Sequence, residues 1–259
     1  MNGPAHRPRK RFGQNFLHDP AVIDRIIRAI DPRPGDRLVE IGPGLGALTR
    51  PLLAAVGELD AVELDRDVIP LLQQHCAGAG TLHVHNGDVL KFDFQALAAG
   101  QSLRVVGNLP YNISTPLIFH LLRQLPVIGD MHFMVQKEVA ERLAAAPATE
   151  HYGRLSIMVQ LHCAVELLLN VGPGAFKPAP KVNSAVVRLT PHRQPPVKVD
   201  DQKRFAELVT RAFTQRRKTL RNALKGLLTA EQMTALGVDP GRRPETLSLA
   251  DYAALSNAG

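Results

Sequence analysis

Leu103-Arg104-Val105-Val106-Gly107-Asn108-Leu109-Pro110-Tyr111 opens as an apolar run and ends in a polar turn. The helix-like stretch Thr115-Pro116-Leu117-Ile118-Phe119-His120-Leu121-Leu122 follows it. A buried strand that leads through a short turn into a helix is the unit of an open α/β sheet. The C-terminal end of such a strand is where these sheets place their ligands. Asn108 offers an amide oxygen that can accept a hydrogen bond from an exocyclic amine. The backbone carbonyl of Leu109, held outward by Pro110, can accept a second. Tyr111 adds a flat face on which a base can stack. The same four residues would also serve a plain strand-ending turn, so their neighbours have to decide.

Working outward, the alternation continues from about residue 36 to 191, the signature of a doubly wound sheet. The pattern predicts strands over Arg37–Ile41, Leu59–Leu64, Thr81–His85, Leu103–Val106, Met131–Val135, Val165–Val171 and Ala185–Leu189. It predicts helices over Leu45–Ala55, Val68–Cys76, Thr115–Leu122, Lys137–Ala145 and Arg154–His162. Pro191-His192-Arg193-Gln194-Pro195-Pro196 reads as a linker. Beyond it, Gln202–Phe213, Lys218–Leu228, Ala230–Ala235 and Ala250–Leu255 read as helices of a small second domain. The expected division is therefore residues 1–192 as an α/β domain and 197–259 as an all-helical one.

Other strand ends carry the same kind of chemistry. Arg37–Ile41 runs into Gly42-Pro43-Gly44-Leu45-Gly46, where glycines let the backbone turn tightly and approach a ligand. The spacing is GxGxG, unlike the GxGxxG of dinucleotide folds, and Pro43 removes an N–H that a phosphate cradle would use. Glu63 ends the next strand about twenty residues after the first glycine, where a carboxylate accepts ribose hydroxyls. That placement fits a nicotinamide cofactor and S-adenosylmethionine alike. Asp88, in Asn86-Gly87-Asp88, adds an acceptor suited to an adenine amino group. His83 and His85 alternate on one strand, a pattern that is more often structural than metal-binding, and no metal site is expected.

The chain has 259 residues, a net charge of +7 and a pI near 9.7, which favours a polyanionic partner. Basic residues cluster in His6-Arg7-Pro8-Arg9-Lys10-Arg11 and again at Arg211, Arg216-Arg217-Lys218, Arg221 and Lys225. At helical spacing Arg217, Arg221 and Lys225 share one face, and no acidic residue lies between Leu208 and Thr229. We therefore expect a phosphate-backbone footprint from Arg9, Lys10, Arg11, Arg216, Arg217, Lys218, Arg221 and Lys225. The two cysteines, Cys76 and Cys163, fit a reducing cytoplasm better than a disulfide framework. The basic N-terminus lacks the apolar core of a secretory signal, and no apolar run is long enough to span a membrane.

Taken together, these motifs resemble the small-subunit ribosomal RNA adenine dimethyltransferases. Their wider family also holds the antibiotic-resistance dimethyltransferases of large-subunit rRNA. The resemblance rests on Arg11-Phe12-Gly13-Gln14-Asn15-Phe16-Leu17, Val39–Leu45, Glu63-Leu64-Asp65, Asp88, Gly107–Thr115, Met134-Val135-Gln136-Lys137-Glu138, Phe176–Ser184 and Phe213–Asn222. It implies a Rossmann-like S-adenosylmethionine-dependent methyltransferase domain with a small C-terminal helical domain. It further implies cofactor contacts from Asn15, Leu17, Gly42, Glu63, Asp88 and Asn108, with Asn15 and Leu17 in an N-terminal flap. Asn108, Leu109, Pro110 and Tyr111 would form the target-adenine site, and Phe176, on an exposed stiff loop, would cover the base from its other face. The implied reaction is dimethylation of N6 on two adjacent adenosines in the 3′-terminal hairpin loop of 16S rRNA, with S-adenosylhomocysteine as product. The implied partner is an immature 30S particle, met by a cytoplasmic monomer. A large-subunit enzyme, a non-enzymatic assembly factor and a nicotinamide oxidoreductase are the competing readings.

Overall fold

The computed structural model describes residues 15–258. Two compact units emerge, the first running to Ala140 and resuming over Glu166–Pro191, the second made of Glu141–Val165 and the chain from His192 onward. The division expected near residues 192–197 falls at one crossing between them. Glu141–Val165, expected with the sheet domain, cluster instead with the C-terminal helices.

The first unit begins with β1 (Phe16–Leu17) and α1 (Pro20–Ile30), then β2 (Arg37–Ile41), α2 (Thr49–Val56), β3 (Glu58–Glu63), α3 (Ile69–Cys76) and β4 (Thr81–Asn86). It continues through α4 (Phe94–Ala98), β5 (Leu103–Asn108), α5 (Ser114–Leu122) and β6 (Ile128–Gln136) into α6 (Lys137–Ala144), after which the chain contributes α7 (Arg154–Gln160) to the second unit. After these come β7 (Cys163–Val171), β8 (Phe176–Lys177) and β9 (Ser184–Pro191). Seven strands form one sheet in the order β4-β3-β2-β5-β6-β9-β7. The pairs β3–β4, β2–β3, β2–β5 and β5–β6 are parallel, and β9 returns antiparallel to β6. β2 and β5 are buried along nearly their whole length because helices cover both faces, which is why they read as continuous apolar runs. Gly107 is required where β5 runs beside the end of β2, since a Cβ there would lie 2.6 Å from the Ile41 carbonyl oxygen.

The predicted strands are all present, five of the seven longer by one to four residues. Besides the five-residue α4, two elements escape the sequence pattern. One is the helix Pro20–Ile30, which Asp19 caps by accepting hydrogen bonds from the Ala21 and Val22 amides at 2.9 and 3.2 Å. Its Val22, Ile23, Ile26, Ile27 and Ile30 recur at helical spacing, a signal that could have found it. The other is a two-residue ribbon in which Phe16 pairs with Lys177 and Leu17 with Phe176, too short for any periodicity to register. The helix expected from Leu45 starts only at Thr49, because Gly42, Gly44 and Gly46 all adopt positive φ and prolong the turn.

The second unit adds α8 (Gln202–Thr214), α9 (Leu220–Ala223), α10 (Ala230–Ala235) and α11 (Leu249–Asn257); α8 packs against α7, α9 and α11, and Phe205, Leu208, Tyr252 and Leu255 are buried. The helix expected over Lys218–Leu228 is only the four residues of α9. α8 ends at Thr214, Arg216–Lys218 form a turn, and α9 gives way after Ala223 to a turn that contains Gly226 at φ +87°. The basic residues therefore do not form the continuous helical stripe that their spacing suggested. No helix among the described residues is long and apolar enough to cross a membrane.

Candidate active site

The ends of β2, β3, β4 and β5 and the β1 segment surround a cavity of about 390 Å³. Its walls include Asn15, Leu17, Gly42, Glu63, Asp88, Asn108, Leu109, Pro110 and Tyr111, so most of the residues singled out in the sequence converge there.

The glycine turn is shaped by what surrounds it. Gly44 has φ +55°, and a Cβ on it would press to 3.1 Å from the Phe16 ring. Its amide donates to Glu63 Oε2 at 3.2 Å, while the Asp65 amide donates to Glu63 Oε1 at 2.8 Å. These bonds aim the carboxylate at the cavity mouth of β3. Burial pushes the Glu63 carboxyl above its usual range, and the two amides oppose that shift. Asp88 is exposed on the cavity rim, and its Oδ1 takes the Leu90 amide at 3.0 Å, starting the turn after β4. Glu40, which sequence reasoning passed over, proves to be another lining group. It is 2% exposed, and its Oε2 has no hydrogen-bond partner among the described residues. Burial raises its carboxyl to about 7, the nearby Thr49 hydroxyl opposing and Glu63 adding to the effect.

At β5 the Asn108 side chain is oriented from outside. Its Nδ2 donates to the Asn15 carbonyl at 3.2 Å. With the donor so engaged, Oδ1 is the amide atom left to accept. The Leu109 amide is tied to the Met134 carbonyl at 3.0 Å, which fixes the peptide on the sheet. The Ile113 amide donates to the Pro110 carbonyl and the Ser114 hydroxyl to the Tyr111 carbonyl, so the turn passes directly into α5. The Tyr111 phenol shares a 2.7 Å hydrogen bond with the Ser184 hydroxyl.

Phe176 is placed differently from expectation. It is 3% exposed, packs in the core with Leu17, Ala175 and Val186, and does not line the cavity. The exposed loop begins only at Lys177. The cause is the β1–β8 ribbon, extended by the His18 amide donating to the Ala175 carbonyl at 2.9 Å, which holds the ring inward.

Arg216, Arg217, Lys218, Arg221 and Lys225 are all exposed on the second unit. Arg216 donates to the Glu150 carbonyl at 3.0 Å and lies 4.0 Å from Glu245, so part of its charge is spent on local structure. Arg9, Lys10 and Arg11 lie outside the described residues. His83 and His85 face Glu58 at 2.9 Å and Asp60 at 2.8 Å across the β3–β4 pair, a structural use of both rings.

The chain matches the family described as ribosomal RNA adenine dimethylase over residues 5–258. A relative from Pseudomonas fluorescens Pf-5, named ribosomal RNA small subunit methyltransferase A, is 61% identical over 253 residues, covering 97% of this chain and 94% of its own. Its namesake from Methylococcus capsulatus is 59% identical and covers 97% of both chains. Among solved structures, a dimethyladenosine transferase from Plasmodium falciparum superposes with TM-score 0.78 at 29% identity, covering 93% of this chain and 95% of its own. The 23S rRNA methyltransferase ErmE gives 0.74 at 26% identity, covering 94% and 99%. The chain belongs to the ribosomal RNA adenine dimethylase family, and with it to the S-adenosylmethionine-dependent methyltransferases.

Proposed function

We propose that this protein methylates N6 of two adjacent adenosines in the 3′-terminal hairpin loop of 16S rRNA. The product would be a pair of N6,N6-dimethyladenosines, made on an immature small subunit late in its biogenesis. The observation that carries this reading is the orientation of the Asn108 amide at the end of β5, with its donor bound to Asn15 and Oδ1 left to accept.

The pocket fits the cofactor: Gly42 and Gly44 allow close backbone approach, and Glu63 supplies an acceptor for ribose hydroxyls. Asp88 lines the cavity and would partner the adenine amine of the cofactor, and Asn15 and Leu17 border the same space. When bound, S-adenosylmethionine supplies an electrophilic methyl on a sulfonium. The adenine amine is a poor nucleophile because its lone pair is delocalised into the ring. Hydrogen bonds from its N–H groups to Asn108 Oδ1 and the Leu109 carbonyl favour a pyramidal nitrogen and restore that lone pair. Positioning and fixed dipoles thus supply most of the rate enhancement. Tyr111 stacks on an unpaired or flipped base. Phe176 reaches the opposite face only once the β1–β8 ribbon has parted. The exposed Arg217, Lys218, Arg221 and Lys225 contact the phosphate backbone, with Arg216 and the N-terminal Arg9, Lys10 and Arg11 adding to them.

Mass spectrometry of small-subunit rRNA from cells lacking the protein tests the reading. Loss of both dimethyladenosines is expected, and their retention overturns it. Purified protein should also methylate immature small subunits in preference to naked large-subunit RNA. The reverse preference would favour the activity that the name of its structural neighbour ErmE describes.

A further inference from the structure

The hydrogen bond between Tyr111 and Ser184 joins two parts of the chain that are far apart in sequence. Ser184 is the first residue of β9, paired with Gln136 at the end of β6, and is fully buried. The preceding residue is also held to the sheet, because the Lys137 amide donates to the Asn183 carbonyl at 2.9 Å. The Ser184 backbone is therefore fixed by the strand ladder, and full burial confines its hydroxyl. Tyr111 stands on a turn, half-buried, with its ring on the cavity wall and its phenol oxygen 2.7 Å from that hydroxyl. A ring on a turn pivots about its side-chain torsions unless its far end is tethered, and stacking depends on the angle of the ring plane. A fully buried hydroxyl also needs a partner, and for Ser184 the phenol is the one provided.

We propose that Ser184 is a positioning residue for methyl transfer, setting the plane of the Tyr111 ring against which the target base is stacked. The inference rests on the reading that Tyr111 stacks on that base. Ser184 touches neither base nor cofactor and acts through the phenol alone. The same segment carries Phe176 at its other end, so one stretch of chain, Phe176–Ser184, both anchors one wall of the base site and bears the residue proposed for the other.

The experiment is a double-mutant cycle with Ser184→Ala, Tyr111→Phe and the pair combined. Initial rates are measured on unmethylated small ribosomal subunits, and S-adenosylhomocysteine binding is followed by calorimetry. Each single variant should lose about five-fold in kcat, the scale of one hydrogen bond, with cofactor affinity unchanged. The combined variant should be no slower than either single one, because both remove the same bond. Multiplying losses, or a fully active Tyr111→Phe beside an impaired Ser184→Ala, would overturn the proposal by showing that Ser184 acts elsewhere. If Ser184→Ala does not fold, Tyr111→Phe removes the bond from the other side, and full activity there overturns it equally. Tyr111→Ala separates the two layers. Unchanged activity in Tyr111→Ala refutes base stacking itself, whereas a strong loss there beside unaffected Ser184→Ala and Tyr111→Phe refutes only the role of Ser184.

Discussion

At the scale of single residues, the proposed function makes Asn108 and Glu63 testable, and the burial of Glu40 makes a third test. Asn108 is useful because its amide is held in one sense by the Asn15 carbonyl, so Asn108→Ala should lower kcat by about 100-fold or more at saturating cofactor, as when a fixed dipole is removed from a transition state. Single-turnover assays on unmethylated subunits measure this directly. On the proposed reading, Glu63 would take ribose hydroxyls and would need its charge to do so strongly. Glu63→Gln should therefore weaken S-adenosylhomocysteine by about ten-fold or more in calorimetric titration. Glu40 titrates in the other direction from a paired carboxylate. Its carboxyl moves from 4.5 to about 7 on folding, so the folded state holds the proton more tightly. Below 4.5 the group costs nothing, the penalty grows as pH rises towards 7, and it is constant above that. Glu40→Gln should thus match the wild type in acid and be more stable by up to about 3 kcal/mol in mild alkali, read from denaturation of the cofactor-free protein across pH.

Among the elements, the β1–β8 ribbon and the turn after α8 are the pieces that periodicity could not describe. Two paired residues make a weak ladder, yet Asn15 and Leu17 reach the cavity from it. Amide exchange at Phe16, Leu17, Phe176 and Lys177 should be fast in the free protein and slow on adding S-adenosylhomocysteine, with β2 unchanged. Equal protection with and without ligand would count against the flap. The basic residues after Thr214 lie on a turn and a four-residue helix, so they present charge in several directions. Replacing Arg217 and Lys218 with Ala should reduce the slope of log affinity against log salt by about one for each phosphate no longer neutralised. Binding of small subunits at stepped ionic strength gives that slope.

For the whole molecule, the C-terminal helices are not self-sufficient. The Tyr152 hydroxyl donates to the Leu247 carbonyl at 2.9 Å, and the Ala148 amide donates to the Glu245 carbonyl at 2.8 Å. The Tyr152 and Phe213 rings meet edge to face at 6.5 Å. All of these join Glu141–Val165 to the chain beyond His192 within one unit. A fragment from residue 193 onward lacks α7 and the Tyr152 anchor. It should show little cooperative unfolding by circular dichroism, because so small a core cannot offset the chain entropy alone.

What was legible in the sequence was whatever depends on local pattern. Buried parallel strands read as apolar runs, and Gly42, Glu63, Asp88 and Asn108–Tyr111 fall at their ends, so both the sheet and most of the cavity wall could be inferred in advance. The signal for Pro20–Ile30 is equally local, and its apolar spacing was there to be used. Only the tertiary structure could bring Asn15 to Asn108, Ser184 to Tyr111 and α7 to the C-terminal helices, since each pairing joins residues that share no periodicity. It also decided that Phe176 is buried: its Lys-Pro flanks suggest an exposed loop, but pairing with Leu17 draws the ring into the core. Burial and long-range pairing belong to the packed chain, and they set how the catalytic turn is aimed.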